Sequence, residues 1–508
     1  MKTLIKAIAI SFIFIVNTQA SLLDDLPEIK YESFTLDNGL TVVVHEDRKV
    51  PMVAVNVWYH VGSKNEKVGK TGFAHLFEHL MFNGTENYNS EYFEPFEKIG
   101  STDQNGTTNS DRTNYFQNVP TNAVDLALWM ESDRMGHLLG VVDQEKLDEQ
   151  RGVVQNEKRQ GENRPYGKAF TRISEAAFPK GHPYSWTTIG SMEDLDAASL
   201  EDVQEWFKTY YGPNNAVLAL AGDIDMETAK EKVEKYFGDI PAGPPLVKPD
   251  VWIAKRNEEK RDIMYDNVPQ ARIYKAWNVP PRDTEAAAHF DLASSILVGG
   301  KNSPLFKELV YEKQIATSVS AFYYDREIAG MFIVTVDVVA SEDPIEVERE
   351  MDNVLQTFIQ KGPNRKLLNA EKTKALASFI RGAQRIGGFG GKSDLLATCQ
   401  TYTGNPGCYI NNAKYIDEST SAKIKSTFSE WIDNTPYVLT ILPSDKLATN
   451  ESTVDRSKGI PYPTEKISFK FPSLQTAELS NGAKVVLAER KNIPLVEMNI
   501  QFDFGYAQ

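Results

Sequence analysis

The same pattern of apolar and polar residues occurs twice along the chain. Leu36-Asp-Asn-Gly39 is followed by an apolar run at 42–44, and Leu479-Ser-Asn-Gly482 is followed by an apolar run at 485–487. An Asn-Gly pair beside alternating apolar residues favours a tight turn between two strands. The two copies lie at a constant offset of 443 residues, so the second is predicted to begin another copy of the opening domain.

Between these copies the periodicity predicts two α+β domains. Strands are predicted near 34–61 and at 216–221, 331–339 and 437–442, and helices at 286–298 and 344–360. The predicted boundaries are 21–240 for the first domain, 241–259 for a Pro-rich linker, 260–443 for the second domain, 444–472 for a polar linker and 473–508 for the start of a third. A natural domain rarely ends within a strand, so the third domain is expected to be truncated.

Residues 1–20 have the pattern of a signal peptide. Lys2 and Lys6 precede an apolar run at 7–16, and Ala20 closes a cleavage sequence. This run of ten residues is too short to span a bilayer as a helix. The protein is therefore predicted to be exported to the periplasm or secreted, to be cut after Ala20, and not to be inserted in a membrane.

Composition and charge narrow the function classes. The 508 residues are 41% hydrophobic and 25% charged, which is typical of a soluble globular protein. With 55 Lys and Arg against 70 Asp and Glu, the net charge of −15 disfavours nucleic acid and anionic membranes as partners. Cys399 and Cys408 are the two cysteines, and both a disulfide and two free thiols are compatible with their spacing.

The chemistry of the chain centres on His75-Leu-Phe-Glu-His79. Residues four apart share one face of a helix, so both imidazoles can reach one metal ion, with Glu78 beside them. The order reverses the His-Glu-x-x-His motif and is the inverted zincin signature. Thr71 and Gly84 are predicted to cap the two ends of this helix. A catalytic zinc takes three protein ligands and keeps one position open, so a third ligand must come from another segment.

The third ligand is expected in a charged helix predicted at 143–160. Leu147, Val153 and Val154 form the apolar stripe of this helix. Four glutamates on or beside it are candidates, and spacing alone does not choose among them: Glu145, Glu149, Glu157 and Glu162.

Two segments carry a resemblance to a known family. Gly72-Phe-Ala-His75-Leu-Phe-Glu78-His79, together with Arg151-Gly-Val-Val-Gln-Asn-Glu157, resembles the pitrilysin/insulysin family of zinc metallopeptidases and also resembles mitochondrial processing peptidase. The resemblance implies an α+β fold of tandem homologous domains, each an α/β sandwich with a mixed, mainly antiparallel sheet packed by helices. It also implies that Glu157 is the third ligand and that the chain holds one Zn2+.

One position departs from the family pattern. Family members often carry a second carboxylate seven residues before the distal glutamate, whereas Gln150 stands there in this chain, with Glu149 beside it. Groups around a metal orient its ligands. Both residues are therefore expected next to the metal site in a supporting role.

The resemblance further implies a substrate-binding edge strand. A peptide would add to this strand as an extra strand, a mode that reads mainly backbone. A plain edge strand made polar to resist aggregation is the alternative interpretation. The residues concerned are Asn105, Gly106, Thr107 and Thr108.

The predicted function is that of an exported zinc endopeptidase that cuts peptides or unfolded segments. A zinc-bound water would attack the peptide carbonyl, and Glu78 would take up the water proton. The alternative is an inactive fragment or a peptide-binding subunit that needs a C-terminal half or a partner, such as a second copy of the chain. Long members of the family have four homologous domains, which is the reason for this alternative.

Overall fold

The computed structural model describes residue 23 and residues 26–432, 435–444, 456–463, 473–489 and 496–502. The predicted signal peptide lies outside the described residues. The chain divides into two units, one ending at Ser444 and one beginning at the next residue. Within the described ranges, no helix has both the length and the apolar character needed to cross a bilayer.

A six-stranded mixed sheet organises the first half of the first unit. Its strands are β1 (Glu32–Thr35), β2 (Thr41–Glu46), β3 (Met52–Tyr59), β4 (Thr102–Thr108), β5 (Thr113–Pro120) and β6 (Ala216–Gly222). The order is β1-β2-β6-β3-β5-β4, in which β2 and β6 are parallel and the other neighbours antiparallel. β2, β3 and β6 read as nearly continuous apolar runs because both faces of the sheet are covered.

The helices of the first half, except Ala169–Ala177, cover one face of this sheet. The helices of this half are α1 (Phe73–Leu80), α2 (Glu94–Lys98), α3 (Val124–Gly136), α4 (Gln144–Glu162), α5 (Ala169–Ala177), α6 (Met192–Asp196), α7 (Leu200–Tyr210) and α8 (Met226–Phe237). Val55 and Val57 of β3 pack in a core with Leu128 of α3 and Val233 of α8. Strand β4 stays at the open edge of the sheet, next to α1.

The second half repeats the topology of the first. Its strands are β7 (Lys260–Asp266), β8 (Arg272–Val279), β9 (Ala316–Tyr324), β10 (Gly330–Val338) and β11 (Tyr437–Pro443). Their order, β7-β11-β8-β10-β9 with β7 and β11 parallel, is the order of β2-β6-β3-β5-β4 in the first sheet. The predicted fold class, tandem homologous domains with mixed sheets packed by helices, is confirmed.

The two halves exchange helices. The helices of the second half are α9 (Glu285–Val298), α10 (Pro344–Lys361), α11 (Arg365–Gly382), α12 (Lys392–Thr403), α13 (Tyr409–Glu418) and α14 (Ser421–Trp431). Leu396 and Ala397 of α12 pack on Val43 and Val217, on the outer face of the first sheet. In return, Ile173 of α5 packs against the second sheet. Each sheet is therefore covered partly by its own half and partly by the other.

The described part of the second unit contains a hairpin of β12 (Leu474–Glu478) and β13 (Lys484–Ala488). Its register is that of the β1–β2 hairpin shifted by 443 residues: Phe34 pairs with Val42, and Ala477 pairs with Val485. Gly39 and Gly482 both adopt positive φ in the turns, at 91° and 82°. The repeat read from the sequence is therefore a repeat of local structure.

Candidate metal centre

Helix α1 has a buried apolar face and a polar face. Leu76, Phe77 and Leu80 are fully buried in the core of the first half. His75 and His79 lie on the other side, each with a side chain that is 19% exposed. The 3.6-residue period of the helix places residues 75 and 79 one above the other. Burial of the apolar face thus directs both imidazoles towards the same point.

The N-terminus of α1 is held by a carboxylate from the segment that precedes the helix. The prediction that Thr71 caps the helix is wrong, because the N-cap is Gly72 and has no side-chain cap. The Thr71 hydroxyl instead donates to Asp194 Oδ2 at 2.6 Å. Glu66, which the sequence analysis did not single out, accepts hydrogen bonds from the backbone N–H groups of Gly72 and Ala74, at 3.1 and 2.8 Å.

The glycines near the two ends of α1 have different roles. Gly72 has φ of +87°, and a Cβ on it would lie 2.7 Å from the carbonyl oxygen of Ile189. Gly84 has positive φ as predicted, but the helix has already ended at Leu80, with Met81 as the C-cap. Gly84 therefore shapes the loop that follows α1, and only Gly72 shapes a helix end.

Three potential ligand atoms converge beside α1. The Nε2 atoms of His75 and His79 lie 3.3 Å apart, and each is 3.7 Å from Glu157 Oε2. Glu157 comes from α4, which packs against α1 through residues that include Leu147 and Val154. This trio is the metal-competent cluster of His, Cys, Asp and Glu found among the described residues.

The donor set fits a zinc ion. Zinc–nitrogen bonds of about 2.0–2.1 Å place two ligands of a tetrahedron about 3.3 Å apart, which matches the separation of the two Nε2 atoms. Burial, with a smaller effect of His79, lowers the pKa of His75 to about 4, so the ring is neutral and keeps a lone pair for a metal. Two imidazoles and one carboxylate are a set that catalytic zinc sites use.

Glu78 lies beside this cluster with an unusual acidity. The residue is 8% exposed, and burial raises the pKa of its carboxyl to about 7. A hydrogen bond with Thr108 and the charge of Arg112 partly oppose this shift. A carboxyl with a pKa near neutrality can both accept and return a proton at physiological pH.

The other glutamates of α4 lie away from the ligand atoms. Glu162 pairs with Lys158 at 2.6 Å, and Glu145 is exposed in the first turn of the helix. Glu149 is exposed and Gln150 half-buried. In the described part of the chain, neither of the last two makes a hydrogen bond with the three potential ligands, and their supporting role stays a prediction.

Strand β4 turns backbone groups outward next to Glu78. Asn109 N–H donates to the Arg112 carbonyl at 3.0 Å, so this pair is hydrogen-bonded across the β4–β5 turn. Hydrogen-bonded and non-hydrogen-bonded pairs alternate along an antiparallel ladder, so Gly106 and Thr108 turn their N–H and C=O groups away from β5. The Gly106 N–H is met by the side chain of Asn105 at 2.9 Å. Residues 105–108 thus form an edge to which another strand can pair.

Two family models match the chain. The model described as insulinase, peptidase family M16, matches residues 41–189. The model described as peptidase M16 inactive domain matches residues 197–375. The first match includes β4, α1 and α4, and therefore all the residues of the candidate centre. The second covers most of the second sheet.

Known proteins are similar over most of the described chain. Zinc protease PqqE of Helicobacter pylori is 30% identical over 330 residues, which cover 64% of this chain and 73% of that protein. Mitochondrial-processing peptidase subunit beta of Saccharomyces cerevisiae is 27% identical, over 59% of this chain and 68% of that protein. The crystal structure of a protease from Helicobacter pylori superimposes with a TM-score of 0.75 at 25% identity and covers 82% of this chain and all of that one.

Proposed function

Because the chain belongs to the pitrilysin/insulysin family, peptidase family M16, we propose that it is a zinc-dependent endopeptidase acting on extended peptides. The observation that carries the proposal is the convergence of His75, His79 and Glu157, with Glu78 beside them. The names of relatives such as zinc protease PqqE support the choice of metal.

The proposed roles follow from position and acidity. His75, His79 and Glu157 would hold the ion, which when bound lowers the pKa of a water and polarises a peptide carbonyl. Glu78 takes up the water proton and returns it to the leaving amine, because burial places the pKa of its carboxyl at about 7. Thr108, at the end of the edge strand, and Arg112 both favour the ionised form of Glu78.

The substrate is proposed to bind as an added strand along β4. Thr108 turns its N–H and C=O groups outward, and so does Gly106, whose N–H would have to exchange the Asn105 side chain for the peptide. Thr108 lies beside Glu78, so a paired peptide would run directly past the candidate centre. Backbone pairing requires an extended chain and reads few side chains. Peptides and unfolded segments are therefore the proposed substrates, and folded proteins are expected to be poor ones.

Export and assembly are further parts of the proposal. The signal pattern of residues 1–20 supports a periplasmic or secreted protein that is cut after Ala20. A similar protein, the mitochondrial-processing peptidase subunit beta, is named as a subunit, which supports a partner chain as the alternative to activity of the single chain. Activity per chain that rises with protein concentration would favour the partner, and constant activity the single chain.

The test combines zinc content and cleavage. The wild-type chain is expected to bind one zinc and to cleave a quenched fluorescent peptide. Glu78→Gln should keep zinc and lose about 100-fold or more in kcat, which is the usual contribution of a general base. Glu157→Gln should lose zinc, whereas the matched variant Glu162→Gln on the same helix should keep both zinc and cleavage. Normal cleavage by Glu78→Gln would overturn the proposed roles.

The substrate mode has its own test. Peptides methylated at single backbone nitrogens should lose cleavage only at alternate positions, because a strand pairs with β4 through alternate residues. Equal loss at every position, or at none, would contradict strand addition while leaving the zinc chemistry unaffected.

A further inference from the structure

A cavity of about 310 Å3 lies beyond the end of the edge strand, where the two halves of the first unit meet. Ser110 of the β4–β5 turn lines one side and Phe170 of α5 another. Tyr324 of β9 and Arg326 of the β9–β10 turn line the side that the second half contributes. Its volume is at the lower end for small-ligand pockets and suits a single amino-acid residue.

Arg326 brings a buried positive charge to this cavity. The residue is 3% exposed, and its Nε and Nη2 atoms are buried without a hydrogen-bond partner in the described part of the chain. The guanidinium lies over the rings of Tyr184 and Tyr324, 4.1 and 4.6 Å from their centroids. Such stacking accounts for the faces of the guanidinium but leaves its edge N–H groups unmatched.

The nearby carboxylate, Asp111, is already engaged. Its Oδ1 accepts from the Tyr184 hydroxyl at 2.5 Å and lies 3.6 Å from Lys64 Nζ. Its Oδ2 accepts from the Glu327 backbone N–H at 3.1 Å. The charge of Asp111 is thus balanced by Lys64, and its hydrogen bonds come from Tyr184 and Glu327 rather than from Arg326. A buried cation is costly when it lacks matched acceptors, so the unmatched N–H groups of Arg326 point to a ligand.

Thr187 supplies a second unmatched polar group in the same cavity. Its Oγ1 atom is buried without a hydrogen-bond partner among the described residues, and the residue lines the cavity together with Arg326. A hydroxyl donor and a guanidinium in an aromatic-walled cavity complement a carboxylate, which accepts several hydrogen bonds and carries the opposite charge.

We propose that this cavity binds a carboxylate of the peptide that lies along β4, with Arg326 and Thr187 as its donors. The inference rests on the proposed function. Ser110 is two residues beyond Thr108, in the turn that follows β4, and Thr108 lies beside Glu78. The carboxylate therefore lies a few residues from the cleaved bond, on one side of it. An acidic side chain and a free C-terminus share this chemistry.

The test compares matched peptides with the full chain. One series of amidated peptides carries Glu or Gln at a single position, which is varied over the three positions on either side of the cleaved bond. A further pair of peptides carries Gln at all these positions and differs in having a free or an amidated C-terminus. At one position, or for the free C-terminus, kcat/KM is expected to favour the acid by about 10-fold or more, as hydrogen bonds to charged groups do. The pair that responds identifies the source of the carboxylate.

Variants then assign the preference to the cavity. Arg326→Lys keeps a charge but loses the planar fork, and Thr187→Ala removes the hydroxyl. Both should bring the acid-to-amide ratio towards one, whereas Arg349→Lys, on an exposed part of α10, should keep the wild-type ratio. The ratio is internal to each variant, so a general loss of activity does not mask it. If Arg326→Lys does not fold, Thr187→Ala carries the test.

Two results would overturn the inference: no preference for acid at any position, or a preference that both cavity variants retain. Failure of the proposed function is recognised separately, because the wild-type chain would then cleave none of the peptides. In that case, fluorescence anisotropy of the labelled acid and amide peptides with the zinc-free protein still reports the cavity. Equal affinity for the acid and amide peptides would then contradict the proposal that the cavity binds a carboxylate.

Discussion

Burial acts differently on individual carboxylates of this protein, depending on their partners. Burial raises the pKa of Glu78 to about 7 and that of Glu66 well above its usual range, because the charge of Arg112 beside Glu78 and the hydrogen bonds to Glu66 only partly oppose it. Burial would also raise the pKa of Glu327, but a hydrogen bond from His60 and the charge of Lys64 outweigh it and lower that pKa to about 2. Glu78 is thus suited to proton transfer and Glu327 to holding structure.

Glu327 predicts an acid-sensitive component of stability. Its folded pKa of about 2 lies below the usual 4.5, so the ionised form stabilises the fold above about pH 4.5 and this contribution is lost as the pH falls towards 2. The full contribution is about 3 kcal/mol. Urea unfolding of the EDTA-treated protein should show this loss, and Glu327→Gln should flatten it. Glu205→Gln, an exposed partner of Lys67, should leave the pH profile unchanged.

At the scale of elements, α1 depends on a residue outside itself. Both potential histidine ligands lie on this eight-residue helix, which has no side-chain cap of its own. Glu66 accepts from the N–H groups of Gly72 and Ala74 and so replaces the cap. A short helix is marginal without such help, so the position of the metal centre depends on Glu66.

Glu66→Ala is therefore expected to weaken both stability and zinc binding. Each buried N–H left without an acceptor costs about 1–3 kcal/mol. Chelator competition should show a reduced zinc affinity, and urea unfolding a reduced free energy of unfolding. Ser199→Ala is the matched control, because it removes the capping box of α7, which carries no potential ligand. It should cost about 1 kcal/mol and leave zinc affinity unchanged; a similar loss of zinc in both variants would contradict this role of Glu66.

The position of strand β4 depends on Gly106, as the position of α1 depends on Glu66. A Cβ on Gly106 would lie 2.6 Å from Cζ of Phe82, whose ring is stacked on Phe93 and packed against Tyr115. The ring has little room to move, so the strand would have to shift away from α1 and from Glu78.

Gly106→Ala should destabilise the protein by about 1–3 kcal/mol and raise KM for peptides. Gly152→Ala provides the comparison: a Cβ there meets nothing within 4 Å, and alanine should stabilise α4 by up to about 1 kcal/mol. Thermal unfolding and steady-state kinetics measure both effects. Unchanged KM and stability in Gly106→Ala would show that the edge strand tolerates displacement.

At the scale of the whole first unit, exchanged helices join the two halves. Cys399 of α12 forms a disulfide with Cys408, nine residues away, and both lie in the cluster that covers the outer face of the first sheet. Of the two alternatives compatible with the sequence, the structure has the disulfide. The bond limits the freedom of the α12–α13 connection at the surface where the halves pack.

Reduction of this disulfide is expected to lower stability. A closed loop of this length contributes about 3 kcal/mol through the entropy of the unfolded chain. Calorimetry should give a lower Tm in the presence of a reductant. The double variant Cys399→Ala and Cys408→Ala should have a low Tm that the reductant does not change. A Tm of the wild type that is insensitive to complete reduction would contradict this expectation.

Features that depend on local periodicity could be predicted from the order of the residues. Helices predicted at 286–298 and 344–360 are Glu285–Val298 and Pro344–Lys361, and the Asn-Gly repeat predicted two hairpins that share one register. The spacing of His75 and His79 placed both on one helical face, since helix geometry alone sets that relation. The family was also recognisable at this level, because its motif is short and contiguous.

Contacts between separate elements depend on how the chain packs and are seen in the folded protein. Spacing alone left four glutamates on or beside α4 as candidates and only the family resemblance implied Glu157; in the structure, packing of α4 on α1 brings Glu157 to the histidines. Glu66 reaches the start of α1, α12 covers the sheet of the other half, and Arg326 enters a cavity beside β4 for the same reason. Such contacts depend on how helices and sheets pack together, and neither the spacing of residues nor their local propensity encodes that in a form that can be read directly.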